Sequence, residues 1–366
     1  MKKPFILALA LALAMSAAVV QSSYGATKTT FTAAQIKNNE DLIGPTKGVD
    51  LGYGPVGVDL ATLVKRMGSK IKKITIDCQD QNLVDPWSRD EGLYCQALMK
   101  KYKIPYVFNN ALGDSLKESQ QMADAVTRGV SGILFYPVYE PQSVPSVNAA
   151  EAAGIPVVSM IPIYGSTQKV WAATSQVAYG VMLAKKIAAY YDKLGTKGTC
   201  VLSNLNFQFD ALDKRVAGFM GEIGSHHSVF VKADQNVLAL NAQEWLDKTV
   251  AMINKNPDVN CIFALYASPA EGALSAIAQT NAKNIALFTI DADQNILQAV
   301  KDGKIAGTHP QDARQAVING AFQLLRLING DKNVKPWVEP KAYYSMWLST
   351  PAEAIAYAKA TGVTLN

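Results

Sequence analysis

The sequence predicts an α/β protein of two doubly wound lobes, each built on a mainly parallel sheet. Three observations lead there. Short apolar runs alternate with segments whose apolar residues recur at helical spacing, which implies βαβ units and a sheet covered on both faces. The alternation pauses at a long helical stretch, Val177–Leu194, and restarts at Thr199. The chain has 366 residues, 49% hydrophobic and 18% charged, a length and composition that suit about two domains with sizeable cores.

The elements follow in chain order. Lys2 and Lys3, the apolar run Pro4–Val20 and small residues at Ala18, Gly25 and Ala26 form a secretory signal over residues 1–26. Its cleavage would leave a soluble periplasmic protein; an uncleaved anchor is the rival, and the run is at the short end for a membrane span. No cysteine lies near it for lipid attachment. Residues 27–70 read as an extension: Gly44-Pro45 and Gly52–Gly57 are loop signals, and Asp59–Met67 is helical with Leu60, Leu63, Val64 and Met67 on one face. It is expected to pack as an arm on the first lobe.

The first series then runs strand Ile74–Cys78, helix Trp87–Lys101, strand Tyr106–Asn109, helix Ser115–Arg128, strand Ile133–Tyr136, helix Val144–Ala153 and strand Pro156–Met160. Gly129 and Gly154 stop two of the helices. The second series runs strand Thr199–Ser203, helix Leu212–Ile223, strand Val229–Ala233, helix Ala242–Asn254, strand Cys261–Leu265 and helix Ala270–Gln279. It continues with strand Ile285–Ile290, helix Asn295–Asp302, strand Lys304–Thr308, helix Ala313–Asn329 and strand Lys341–Trp347.

Several function classes find no support. Net charge is +5, but Lys and Arg are scattered, so no nucleic-acid partner is implied. The three histidines form neither a metal set nor a relay, and His309 reads as a polar rim residue. No phosphate-loop, dinucleotide or nucleophile-elbow motif is present, so no catalytic residue, metal or cofactor is expected. Cys78, Cys95, Cys200 and Cys261 fit no zinc spacing and read as buried free thiols. An oxidising compartment permits disulfides instead. Cys78 and Cys95 lie on a strand and its following helix, and Cys200 and Cys261 near the starts of strands that neighbour each other in a 2-1-3 order.

Asp291 follows the strand Ile285–Ile290, and Gln311 follows Lys304–Thr308. Both therefore sit at the rim where open α/β sheets bind ligands. The residue pattern leaves a second role for Asp291, as cap of the next helix. Asp293 lies two residues on, so only one of the two is expected to face a cleft. These positions resemble the type I periplasmic solute-binding proteins of ABC importers, in the ribose-binding branch, over roughly residues 70 to 348. The resemblance implies a three-segment hinge, with crossings near Thr174–Ser175, Gln311–Asp312 and Pro340. It divides the chain into 71–174 with 312–339, and 175–311 with 340–366. It implies that Asp291 and Gln311 bond sugar hydroxyls and that Pro86-Trp87 supplies a stacking ring, although Trp87 would also serve as the first packed residue of its helix.

The sequence also departs from that branch. Ile161-Pro162 stands where the branch has an Asp-Arg pair, Asp213 stands at its sugar-binding Arg with Arg215 two residues on, and Tyr266 replaces an Asn. The expected ligand set is Gln79, Asp80, Trp87, Tyr139, Phe207, Arg215, Tyr266, Asp291 and Gln311. The resemblance thus implies a monomeric receptor that closes over a small-molecule ligand, a sugar or polyol, and delivers it to an ABC permease. A receptor for an aromatic acid, nucleoside or signalling furanose is the alternative. A secreted enzyme would need a nucleophile–base pair the sequence lacks, and a ligand-sensing repressor would need an N-terminal helix-turn-helix.

Overall fold

A computed structural model provides the structure, which describes residues 60–205, 210–237, 242–332, 334–338 and 346–366. The signal at 1–26, most of the extension, Phe207, the crossing near Pro340 and most of the strand expected over Lys341–Trp347 lie outside the described residues.

In the first sheet, β1 (Ile76–Asp80), β2 (Tyr106–Asn110), β3 (Gly132–Phe135) and β4 (Val157–Ser159) are all parallel, in the order β2-β1-β3-β4. The second comprises β6 (Gly198–Leu205), β7 (Val229–Val237), β8 (Cys261–Ala264), β9 (Ala286–Ile290) and β10 (Gly307–His309). Its order is β10-β9-β8-β6-β7, again parallel throughout. Both sheets therefore change winding direction beside their first strand, which opens a crevice at the carboxyl ends. Residues 76–80, 132–135 and 261–264 are buried along their whole length, as strands covered on both faces must be.

β1 begins and ends two residues later than the sequence predicts. A 3-10 turn over Gly68–Lys73 delays its start, and the ladder with β2 then holds as far as Asp80↔Asn110. Gln79 and Asp80 are consequently strand residues rather than loop residues. Two helices also begin early. Ala267–Thr280 and Glu140–Ala152 carry Pro269 and Pro141 in their first turns, where the missing N–H costs no hydrogen bond. Helix Pro351–Thr361 was not expected. Its signal is a capping box: Thr350 Oγ1 accepts from Glu353 N at 3.3 Å, and Thr350 N donates to Glu353 Oε2 at 3.0 Å.

The chain passes between the lobes more than once. β5 (Ala172–Ala173) follows β4 and pairs in parallel with β11 (Trp337–Val338), making a short ribbon at the hinge. Helix Ala313–Ile328 leaves β10 and packs back on β3, β4 and helix Pro86–Tyr102. Gly320 permits that docking, since a Cβ there would sit 2.6 Å from Leu134 Cδ1. Helix Leu60–Met67 lies on the same helix, with Leu60, Leu63 and Met67 buried. Among the described residues, no helix is long and apolar enough to cross a membrane.

The reading of the cysteines as free thiols is overturned. Cys78–Cys95 and Cys200–Cys261 are both disulfides, and no cysteine is free. Cys200 and Cys261 are directly opposed in the β6/β8 ladder, with Cα atoms 4.2 Å apart. Cys78 points from β1 to the helix that covers it, at a Cα separation of 6.4 Å. Both Cα separations are close to the range that disulfides span. The rim assignment of His309 also fails. It is fully buried at the hinge, with Nδ1 2.9 Å from the Met346 carbonyl and its ring 4.7 Å from that of Tyr179.

Candidate functional site

A cavity of about 270 Å³ lies between the lobes at the carboxyl ends of both sheets. Each lobe delivers its residues from strand exits. The exit of β1 supplies Gln81, Asn82, Asp85 and Trp87, the exit of β3 Tyr136, Val138 and Tyr139, and the exit of β4 Met160 and Ile161. From the other lobe come Ala211, Leu212 and Arg215 on helix Asp210–Ile223, Tyr266 after β8 and Asp291 after β9. Gln176 and Gln311 enter from the crossings.

Of the expected ligand residues, the structure brings Trp87, Tyr139, Arg215, Tyr266, Asp291 and Gln311 to this one cavity. Gln79 and Asp80 do not line it. The longer β1 carries them beneath the floor, where Asp80 Oδ2 would lie 2.3 Å from a Cβ on Gly92 and both residues are buried. Phe207 lies outside the described residues. Sequence reasoning missed Gln176, Asn82 and Asp85. The polar residues Gln79–Asn82 and Asp85 between the first strand and its helix are the one signal for the last two; for Gln176 there is none, because its neighbour in the site lies far along the chain.

Arg215 organises the polar half. It is 3% exposed and donates to Gln176 Oε1 from Nε at 3.0 Å and from Nη2 at 2.6 Å, to Gln311 Oε1 from Nη2 at 2.9 Å, and to the Leu265 carbonyl from Nη1. Its guanidinium carbon is 5.4 Å from the Tyr179 ring centroid. Two glycines let its helix come this close to helix Gln176–Leu194. A Cβ on Gly180 would be 2.0 Å from the Arg215 carbonyl, and one on Gly218 2.2 Å from that of Val177. Gly180→Val should therefore force the helices apart, costing stability and displacing Arg215 together; a variant that keeps both its urea midpoint and its ligand affinity would contradict this.

Asp291 and Asp293 divide the two roles the sequence left open. Asp293 Oδ1 caps helix Gln294–Lys301, accepting from Asn295 N at 2.8 Å and Ile296 N at 3.2 Å. Asp291 lines the cavity and accepts from Ala267 N at 2.8 Å with Oδ2. Its φ of 97° lies in the left-handed region, a backbone cost of about 1–3 kcal/mol that the surrounding structure must sustain.

The β1 exit is pre-organised by its own side chains. Asn82 Oδ1 accepts from Val84 N and Asp85 N, both at 2.9 Å, and Gln81 Nε2 donates to Ser88 Oγ at 2.7 Å. Asp85 Oδ2 caps the next helix through Ser88 N at 3.1 Å, while Oδ1 accepts from Ser268 Oγ of the opposite lobe at 3.2 Å. Asn82 Nδ2 and Trp87 Nε1 have no acceptor among the described residues. The Trp87 and Tyr136 rings are 4.8 Å apart at 55° and form the aromatic wall. The Asp85–Ser268 bond crosses directly from one lobe to the other. Ser268→Ala should remove about 1 kcal/mol from the closed form. The empty variant should show a larger radius of gyration in solution scattering and bind its solute about fivefold more weakly; unchanged values of both would rule out the latch.

Burial shapes the ionisation. It raises Asp291 to about 8, against an opposing pull from Arg215, and it raises Asp80 to about 8. Burial also raises Asp293 and Glu118 to about 7. In the unfolded chain these groups release their protons near 3.8 or 4.5. Above those values the folded state holds protons the unfolded state has lost, so stability falls as pH rises toward 7 and 8. His309, lowered by burial to about 3, adds the opposite slope, but only below 6.5. The melting temperature of the empty protein should therefore decline steadily from pH 6.5 to 8.5, a window that follows from these values; a flat or rising profile would contradict it.

Two parallel-sheet lobes, crossing chains and a polar, aromatic cavity at the switch points define a two-lobed solute receptor. The chain belongs to the periplasmic binding protein family: the model for "Periplasmic binding protein domain" matches residues 82–332. The family binds substrates for transport and is not enzymatic. The chain is 28% identical over 252 residues to the ribose import binding protein of Bacillus subtilis, covering 66% of this chain and 77% of that protein. It is 25% identical over 248 residues to a xylitol-binding protein of Mycolicibacterium smegmatis, covering 63% of this chain and 66% of that protein. In fold it is similar to an ABC transporter solute-binding protein from Bacillus halodurans with bound myo-inositol, at a TM-score of 0.70 and 20% identity, covering 79% of this chain and 99% of that one.

Proposed function

We propose that this protein is the periplasmic solute-binding component of an ABC importer, exported by a cleaved signal peptide and taking one sugar or polyol between its lobes. The convergence of Arg215, Gln176, Gln311 and Asp291 beside the Trp87–Tyr136 wall supports this reading most directly. Carboxylate and amide groups suit hydroxyls, and a flat ring suits the C–H face of a cyclic solute. The cavity volume, about 270 Å³, is at the small end for ligand sites and fits a monosaccharide-sized molecule. Asn82 and Asp85 take the places at the β1 exit that the sequence suggested for Gln79 and Asp80. Relatives that carry ribose or xylitol in their names point to the same solute class. Closure would bring Asp85 and Trp87 of one lobe and Asp291 and Tyr266 of the other onto the solute, and the closed, loaded monomer would dock on the permease.

A thermal-shift screen over pentoses, hexoses, deoxy sugars, polyols, amino acids and aromatic acids tests the reading. A sugar or polyol at 100 times its Kd should stabilise by about 2.7 kcal/mol. Stabilisation by an aromatic or amino acid alone would overturn the class.

A further inference from the structure

The cavity is strongly polar on one side and carries an apolar patch on another. Asn82, Asp291, Arg215 and the two hinge glutamines present donors and acceptors. At the exits of β3 and β4, Val138, Met160 and Ile161 form an apolar patch, with Tyr136, Tyr139 and Gln142 beside it. Met160 and Ile161 are 3% and 6% exposed, and Ala211 and Leu212 of the opposite lobe line the same cavity.

Three main-chain groups of this wall are already engaged. Val138 N donates to Glu118 Oε2 at 2.5 Å, Met160 N donates to the Phe135 carbonyl at 3.0 Å, and the Ile161 carbonyl accepts from Ser159 Oγ. The next residue, Pro162, has no N–H. A solute hydroxyl set against the Met160 and Ile161 side chains would find no hydrogen-bond partner in them, whereas a methyl group there would bury apolar surface.

We propose that the solute is amphiphilic: a deoxy sugar or an O-methylated polyol, with its hydroxyls on the Arg215–Asp291 side and its methyl group against Met160 and Ile161. This rests on the sugar-or-polyol reading of the cavity and narrows it. Ile161 and Met160 are then the specificity-determining residues.

Calorimetry on the intact protein with matched pairs tests the inference. The pairs are L-fucose with L-galactose, L-rhamnose with L-mannose, D-quinovose with D-glucose, and a mono-O-methyl-inositol with its parent inositol. Stereochemistry will select among pairs. Within any pair that binds, the methyl-bearing member should bind at least about tenfold more tightly, the order a single apolar group contributes in such a pocket. Ile161→Asn should shrink or invert that ratio; the wild-type ratio is decisive even if the variant folds poorly. A parent that binds as tightly as its methyl-bearing partner would overturn the amphiphilic assignment and leave the sugar-or-polyol reading standing. Binding of pentoses or unmethylated polyols, with no methyl-bearing member bound, would have the same effect. If no sugar or polyol of any kind binds, both fail.

Discussion

Arg215→Ala should lose most of its solute affinity and several kcal/mol of stability. The guanidinium is fully enclosed and serves Gln176, Gln311 and the Leu265 carbonyl at once. Its removal leaves those acceptors without that donor, at about 1–3 kcal/mol for each one left unsatisfied. It also removes the positive charge that opposes the burial of Asp291. Breaking a buried charge pair by deleting one partner costs about 3–5 kcal/mol. Protonation limits that loss here, because burial already raises Asp291 to about 8. The urea midpoint should therefore fall further at pH 9, where Asp291 is ionised and loses its charge partner, than at pH 6, where it is protonated; an equal fall at both would contradict this. Affinity should fall about ten- to a hundredfold for each charge-assisted bond to the solute. A variant with wild-type affinity would remove Arg215 from the site. One with wild-type stability would show that its network is replaced by water.

Reduction of the disulfides should have an effect of similar size by another route. Cys78–Cys95 closes a loop of 17 residues and Cys200–Cys261 one of 61. The chain-entropy relation gives about 3 kcal/mol for the first and about 4 kcal/mol for the second. The Cys200→Ala/Cys261→Ala pair should therefore lower the urea midpoint more than Cys78→Ala/Cys95→Ala does. Its strands are also held by their ladder, so the fold should survive. Thiol titration of the unfolded, unreduced protein should find no free groups. Four would restore the reading that the sequence favoured.

The strand and helix positions were legible because they are written locally. Apolar runs and their Gly and Pro punctuation placed Asp291 and Gln311 just past strand ends, and β9 and β10 end at Ile290 and His309. The restart of the alternation after a long helix gave a second sheet. The tertiary structure alone decided the rest. Register against β2 extended β1 to Asp80, and so placed Asn82 and Asp85, rather than Gln79 and Asp80, at the cavity. The 2-1-3 strand order already made the strands of Cys200 and Cys261 neighbours; only the register set the two residues directly opposite each other. Close helix packing over Gly180 and Gly218 carried Arg215 to Gln176, 39 residues earlier in the chain. Asp291 and Asp293 look alike in sequence; only the backbone turn at Asp291, with φ at 97°, sends one carboxylate into the cavity and leaves the other to cap a helix. Periodicity records which face of an element is buried. Which buried polar groups meet depends on packing between elements distant in sequence, and that information is not local.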